Sequence, residues 1–390
     1  MPMSSASLPL PDADAKAHSD RLVQHIAAEI DACGGWISFA RFMELALYAP
    51  GLGYYSGGAR KFGAAGDFVT APEMTPVFAR SLAAQVAQIM AASAAEVIEV
   101  GAGSGRLAAD LLQELELREA LPQRYRILEL SAELKERQRE TIAATVPHLL
   151  ERVTWLDRLP ESADGCIVAN ELLDALPVHL VRWQDDALLE RGVVNEHGRF
   201  AWSERPAEGA LAERAKTLAE EVGLCDDYLS EVGLAAMGWT ASWAGILGRG
   251  ALLLIDYGFP RREFYHAQRR EGTLMCHYRH HAHPDPFFLP GLQDITAHVD
   301  FTAIAEAGTE AGLDFLGYTT QAAFLFNCGL TEVLARNAAD DPRRYLPIAN
   351  AAQKLISPAE MGELFKVIAL GRGIDEPLLG FISGDRSGTL

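Results

Sequence analysis

Cysteine is scarce in this 390-residue chain. Its five cysteines, Cys33, Cys166, Cys225, Cys276 and Cys328, are scattered, odd in number and never spaced C-x-x-C. That argues against a disulfide framework and a zinc-thiolate site and fits a reducing cytoplasm. Positive charge is scarce too: 34 Lys and Arg against 53 Asp and Glu leave a net charge of −19. Such a field repels phosphate backbones and anionic lipid surfaces, so nucleic acid and membranes are poor partners, and membrane insertion is not expected. The first twenty residues contain no Arg and no long apolar run, and no signal or transit peptide is visible in them. They are rich in Ser, Ala, Pro and Asp and read as a disordered tail, 1–20. Internal repeats and low-complexity blocks are absent, and 49% hydrophobic with 22% charged residues is the composition of a soluble chain of two or three domains.

What is present is concentrated at residues 96–112, EVIEVGAGSGRLAADLL. Val97, Ile98 and Val100 read as a short buried strand, Gly101, Gly103 and Gly105 as a turn, and Leu107, Leu111 and Leu112 as the inner face of a helix. Glycines at such a turn let the backbone bend sharply and let a ligand approach closer than a β-carbon allows. A dinucleotide fingerprint needs Gly at 106, where this chain has Arg106, so the weight moves from NAD or FAD towards S-adenosylmethionine. A serine-hydrolase elbow fails because Ala102 and Arg106 flank Ser104 where that motif has Gly; Ser104 is a turn residue.

In chain order, helical spacing begins at residues 21–30, and Ser38 caps a second helix carrying Phe39, Phe42, Met43 and Leu47. A Gly-rich loop and GDFVTAPE follow, and Thr75-Pro76 starts a helix reaching about residue 92. Residues 125–130 read as a second parallel strand ending near Glu129, whose carboxylate can accept from both ribose hydroxyls of an adenosine; a solvated strand-end acid is the plainer alternative. A third strand, 153–156, ends at Asp157, placed to accept from an adenine amino group. A fourth, 166–169, runs into NELLDALPVHL, and a fifth, 251–255, ends in Asp256-Tyr257-Gly258. Between them, 204–248 reads as a helical insertion, with Ser230-Glu231 on one of its helices and Trp239 and Trp243 either core or partner surface. The resulting division is a tail (1–20), an N-terminal helical segment with a lid loop (21–92), a core in two parts (93–203 and 249–390) and the insertion (204–248).

GDFVTAPE, EVGAGSG, ANELLDALPVH, LLIDYG and DITAHVDF (294–301), in that order, resemble the MidA family of S-adenosylmethionine-dependent methyltransferases, whose mitochondrial members help assemble respiratory complex I. The resemblance runs from about residue 20 to near the C-terminus. It implies an α/β fold: a seven-stranded, Rossmann-like methyltransferase sheet with an N-terminal helical lid and an inserted helical subdomain. For the mitochondrial relatives it also implies methylation of an arginine on a complex I subunit, so a protein substrate of that kind is the expected partner.

S-adenosylmethionine is the expected cofactor, held by Thr70, Pro72, Glu73, Glu99, Gly101, Gly103, Gly105, Glu129, Asp157 and Asn170. For the loop residues Thr70 and Glu73 the competing role is to cap the helix starting near Thr75, with Pro72 stiffening the approach. Glu171 and Asp174 are the candidate catalytic pair, because paired carboxylates orient a guanidinium by bidentate hydrogen bonding. The alternative is that they complement the positive end of a helix dipole. His277, His280, His281 and His283 suggest a metal, but their RHHAHPDP loop offers no evident strand or helix to fix ligand geometry, and no metal is assigned. An enzyme acting on protein arginine leads; a non-catalytic cofactor-binding assembly protein and a small-molecule methyltransferase are the alternatives.

Overall fold

The computed structural model describes residues 8–57, 70–185, 187–224, 227–336 and 342–390. Residues 66–69 of GDFVTAPE, residues 58–65 of the preceding Gly-rich loop and Cys225 lie outside the described residues. The chain divides into two compact units: an N-terminal unit of Met1–Phe68, Leu173–Gly238 and Phe259–Asp300, and a sheet unit of Val69–Leu172, Trp239–Gly258 and Phe301–Leu390.

The sheet unit is built on seven strands: β1 (Glu96–Val100), β2 (Arg124–Leu128), β3 (Val153–Leu156), β4 (Ala163–Asn170), β5 (Leu247–Phe259), β6 (Asp314–Thr320) and β7 (Phe365–Arg372). Their order across the sheet is β6-β7-β5-β4-β1-β2-β3. Strands β1 to β5 are mutually parallel, and β7 lies antiparallel between β5 and β6. Every residue of β1 is buried, as a strand covered on both faces requires. The chain runs outward from β1 to β3 and then returns to β1's other side with β4. This reversal makes the C-terminal ends of β1 and β4 the switch point where such sheets bind ligands.

Helices α1 (Pro76–Ala92), α2 (Arg106–Leu117) and α3 (Ala132–Thr145) flank these strands in sequence. Thr75 caps α1, accepting from the Val77 N–H, and Ser131 caps α3 through the Leu134 N–H. The apolar faces of α1 and α2, including Val77, Leu82, Val86, Leu107, Leu111 and Leu112, share one core with Val97, Tyr125, Val168 and Leu253. β7 went unread in the sequence because Val367 to Leu370 form an unbroken buried run, which carries no period to separate strand from helix.

In the N-terminal unit the first helix spans Ala13–Ala32, so residues 13–20 are ordered where a tail was expected. Asp12 supplies the missed start signal: its side chain accepts from the Ala15 N–H at 2.8 Å. Helix Phe39–Tyr48 is capped by Ser38, as its sequence indicates. The stretch 204–248 is not wholly helical. It holds the helices Gly209–Val222 and Leu234–Ile246, but also the end of strand Arg199–Pro206 and the strand Tyr228–Val232. These two strands belong to an antiparallel sheet with Ile37–Ser38, His179–Gln184 and Ala187–Glu196. The missed signal was His197-Gly198, both at positive φ, closing a two-residue hairpin in which Glu196 pairs with Arg199. The N-terminal unit takes in Leu173–Gly238, so the unit boundary crosses the helix Leu234–Ile246 between Gly238 and Trp239. Among the described residues no helix is long and apolar enough to cross a membrane.

Candidate active site

Gly101, Gly103 and Gly105 all lie at positive φ (70°, 52° and 82°), the region only glycine enters without strain. Their constraints differ. A β-carbon on Gly101 would fall 3.0 Å from Leu172 Cδ1, and one on Gly105 would fall 2.8 Å from the Cα of Gln138. Gly105 is thus required by helix packing, with α2 starting at it and α3 pressed against it. The turn is tied down further by the Ser104 hydroxyl, which donates to the Glu73 carboxylate. Glu73 therefore serves the turn, and the capping role considered for it and Thr70 does not materialise: Thr70 makes no side-chain cap bond, and Thr75 caps α1 itself. Pro72 is buried in the first turn of the short helix Ala71–Met74.

Glu129 sits immediately beyond β2, where its N–H continues the ladder to Leu156 O at 3.2 Å. Its carboxylate is buried and accepts from the Ser131 N–H (2.8 Å) and from Gln138 Nε2 (3.1 Å). A carboxylate has about four lone-pair positions, so the capacity to accept from two ribose hydroxyls remains. Burial raises its pKa, opposed by these hydrogen bonds and by Lys135. The solvated strand-end reading does not describe this residue. Asp157 is different: it is largely exposed and ion-paired with Lys135.

On β1 the fully buried Glu99 accepts from the Tyr125 hydroxyl at 2.5 Å. Burial pushes its pKa up to about 7, and the neighbouring Glu129 adds to this against the Tyr125 hydrogen bond. A site holding such buried acids suits a ligand that carries positive charge, as a sulfonium does.

At the end of β4, Asn170 Nδ2 donates to Glu171 Oε1 at 3.2 Å, and the Ala71 N–H approaches the same oxygen at 3.4 Å. Asn170 Oδ1 is buried without a hydrogen-bond partner among the described residues. Glu171 has φ 51°, a strained value for a residue with a side chain, held by its N–H to Ile255 O at 2.9 Å. Beside it Asp256, fully buried within β5, accepts from the N–H groups of Leu172 (3.1 Å) and Tyr257 (2.9 Å). No helix of any length follows: the chain makes only the three-residue 3₁₀ turn Leu173–Ala175, so the dipole alternative for Glu171 and Asp174 lacks its dipole.

Asp174 belongs to the N-terminal unit, the boundary falling between Leu172 and Leu173. It is buried, and its carbonyl accepts from the Ala297 N–H at 3.0 Å. In the same unit the Tyr55 hydroxyl donates to Asp294 at 3.0 Å, and burial together with the fields of Asp294 and Asp174 raises the Tyr55 pKa well above the usual phenol value.

Ser230 and Glu231 lie on a strand, not a helix. Glu231 Oε1 accepts from the Thr273 (2.7 Å) and Leu274 (2.8 Å) N–H groups, so this buried carboxylate clasps a loop to the sheet. The histidine cluster also differs from expectation, for it forms a hairpin: Met275–Tyr278 pairs with His281–His283, with Arg279 and His280 at positive φ in the turn. The register places His283 across from Cys276 and His277 across from Ala282, so His277 and His283 occupy opposite faces. Among the described residues no group of three or more His, Cys, Asp or Glu is placed to hold a metal ion.

Sequence reasoning missed two contributors, Gln138 and Tyr125. Both are interior residues of regular elements with no motif of their own, recognisable only through the side chains they meet.

The model of a family described as "Putative S-adenosyl-L-methionine-dependent methyltransferase" matches residues 77–319. A Burkholderia thailandensis structure solved with S-adenosyl-homocysteine bound is 54% identical, with a TM-score of 0.95 over 98% of this chain and 100% of that one. The mitochondrial protein arginine methyltransferase NDUFAF7 of Danio rerio is 28% identical over 90% of this chain and 86% of its own. The human NDUFAF7 is 27% identical over 90% and 83%. The glycine turn at positive φ and the buried acid one strand away are the groups that could hold an adenosyl donor. With its seven-stranded sheet, the chain belongs to this S-adenosylmethionine-dependent methyltransferase family.

Proposed function

We propose that the protein transfers a methyl group to an arginine side chain of a protein. The observation that carries this reading is the similarity, along nine-tenths of the chain, to protein arginine methyltransferases from fish to human. In such a transfer the S–CH₃ bond breaks as an N–CH₃ bond forms in line with it. The sulfonium becomes a neutral thioether, the methylated arginine remains a guanidinium cation, and the one proton displaced from the methylated nitrogen passes to a base or to solvent. The protein's part is alignment and exclusion of water. Gly101, Gly103 and Gly105 would admit the donor, Glu129 would take its ribose, and Glu99, Asp157, Asn170 and the Thr70, Pro72 and Glu73 segment complete the proposed donor set. Glu171 would accept guanidinium N–H groups. Its strained φ supports it as the reacting-end residue, and sequence spacing supports Asp174 as the second acceptor.

The complex I role that the resemblance implies for mitochondrial relatives supports a respiratory complex I subunit as acceptor. The scattered cysteines support a cytoplasmic setting; Cys33, Cys166, Cys276 and Cys328 are all free thiols. The test is to incubate purified protein with a bacterial lysate and isotopically labelled S-adenosylmethionine, followed by mass spectrometry. Label on a protein arginine is expected. Label confined to small molecules would replace this reading with a small-molecule methyltransferase, and no label in any fraction would favour a non-catalytic assembly protein.

A further inference from the structure

Gln138 is fully buried on α3 and uses both ends of its amide. Its Nε2 donates to Glu129 Oε2 and to the Gly103 carbonyl, each at 3.1 Å, and its Oε1 accepts from Trp155 Nε1 of β3 at 2.8 Å. Its Cα lies under Gly105, 2.8 Å from where a β-carbon there would stand. One side chain therefore touches the glycine turn after β1, the acid beyond β2 and the third strand.

We propose that Gln138 is a positioning residue for the adenosyl donor, locking the Glu129 carboxylate and the glycine turn in one geometry before the donor arrives. This rests on the reading of Glu129 as the ribose acceptor. The physical gain is preorganisation: an acid already oriented by an amide held at its far end loses little freedom on binding. A hydrocarbon side chain in place of the amide would leave the Gly103 carbonyl, the Trp155 N–H and one carboxylate oxygen without this partner.

Because an N–H donor favours the ionised carboxylate, Gln138 also holds Glu129 charged against its burial. The other groups facing Glu129 are the Ser131 and Leu130 N–H groups and Lys135, which act in the same direction, and Glu99, which repels it.

The test is calorimetric binding of S-adenosyl-homocysteine to the full chain across pH. Gln138→Met, nearly isosteric and without donors, is expected to bind about tenfold more weakly at neutral pH. The acid limb of its affinity is expected to move to higher pH, a shift that lost packing alone would not produce. In a Glu129→Gln background the same substitution should no longer move the acid limb. Unchanged affinity and an unchanged acid limb in Gln138→Met would overturn the proposal. Glu129→Gln alone separates the premises. If it binds as wild type, the ribose reading fails; if it loses affinity while Gln138→Met does not, only the positioning role fails. Should Gln138→Met not fold, Trp155→Phe frees the amide's other end. A smaller loss in the same direction is then expected, and no loss would overturn the proposal.

Discussion

At the scale of single residues, two carboxylates separate chemistry from stability. Glu171 sits at a strained φ at the end of β4. Glu171→Gln keeps size and hydrogen-bonding capacity while removing charge. If Glu171 orients the acceptor, single-turnover methylation should fall by ~10²–10³-fold with donor affinity unchanged. A fully active variant would end that assignment. Glu99 tests burial. With its pKa raised to about 7 in the folded protein against 4.5 ordinarily, the folded state holds a proton that the unfolded chain releases. That contribution is complete below pH 4.5 and is lost as pH rises through 7. Glu99→Gln, permanently neutral, should therefore match or trail wild type at low pH. It should gain on it by up to about 3 kcal/mol by pH 8, as read from denaturant midpoints. A difference independent of pH would refute the raised pKa.

Among the elements, the glycine turn joins a strand to a helix and is constrained from two sides. Gly105 faces α3, so Gly105→Ala should cost stability, about 1–3 kcal/mol from overpacking against Gln138 together with strain at φ 82°. The check is thermal or denaturant unfolding. Gly103→Val should instead abolish S-adenosyl-homocysteine binding while leaving the protein folded, since a side chain there would enter the space where backbone and donor meet. Unchanged affinity in Gly103→Val would place the donor elsewhere. These elements were readable because their signals are local: a buried β-branched run, glycines at fixed spacing and a capping Thr or Ser state a strand, a turn and a helix without reference to the rest of the chain. The antiparallel strands at 187–206 were harder to read, because half-exposed strands with mixed faces show neither a clean alternation nor a long apolar run, and the strand at 228–232 because its buried residues include the polar Ser230 and Glu231.

For the molecule as a whole, donor binding and folding are linked. S-adenosyl-homocysteine at a hundred times its Kd should raise the unfolding free energy by about 2.7 kcal/mol. Glu129→Ala, which removes the buried acceptor, should need more ligand for the same shift, having lost about 1.5–3 kcal/mol of binding. An equal shift in both proteins at equal ligand concentration would exclude Glu129 from the site. Sequence alone determined the five parallel strands, the switch-point turn and the class of ligand, because each depends on residues adjacent in the chain. Tertiary structure decided the rest. It inserted β7 between β5 and β6, assigned Asp174 to a different unit from Glu171 three residues earlier, and turned the histidine loop into a hairpin. It also brought Gln138 beneath Gly105 and beside Glu129 and Trp155. These outcomes depend on contacts between residues distant in sequence, whose geometry is set only when the core closes around them.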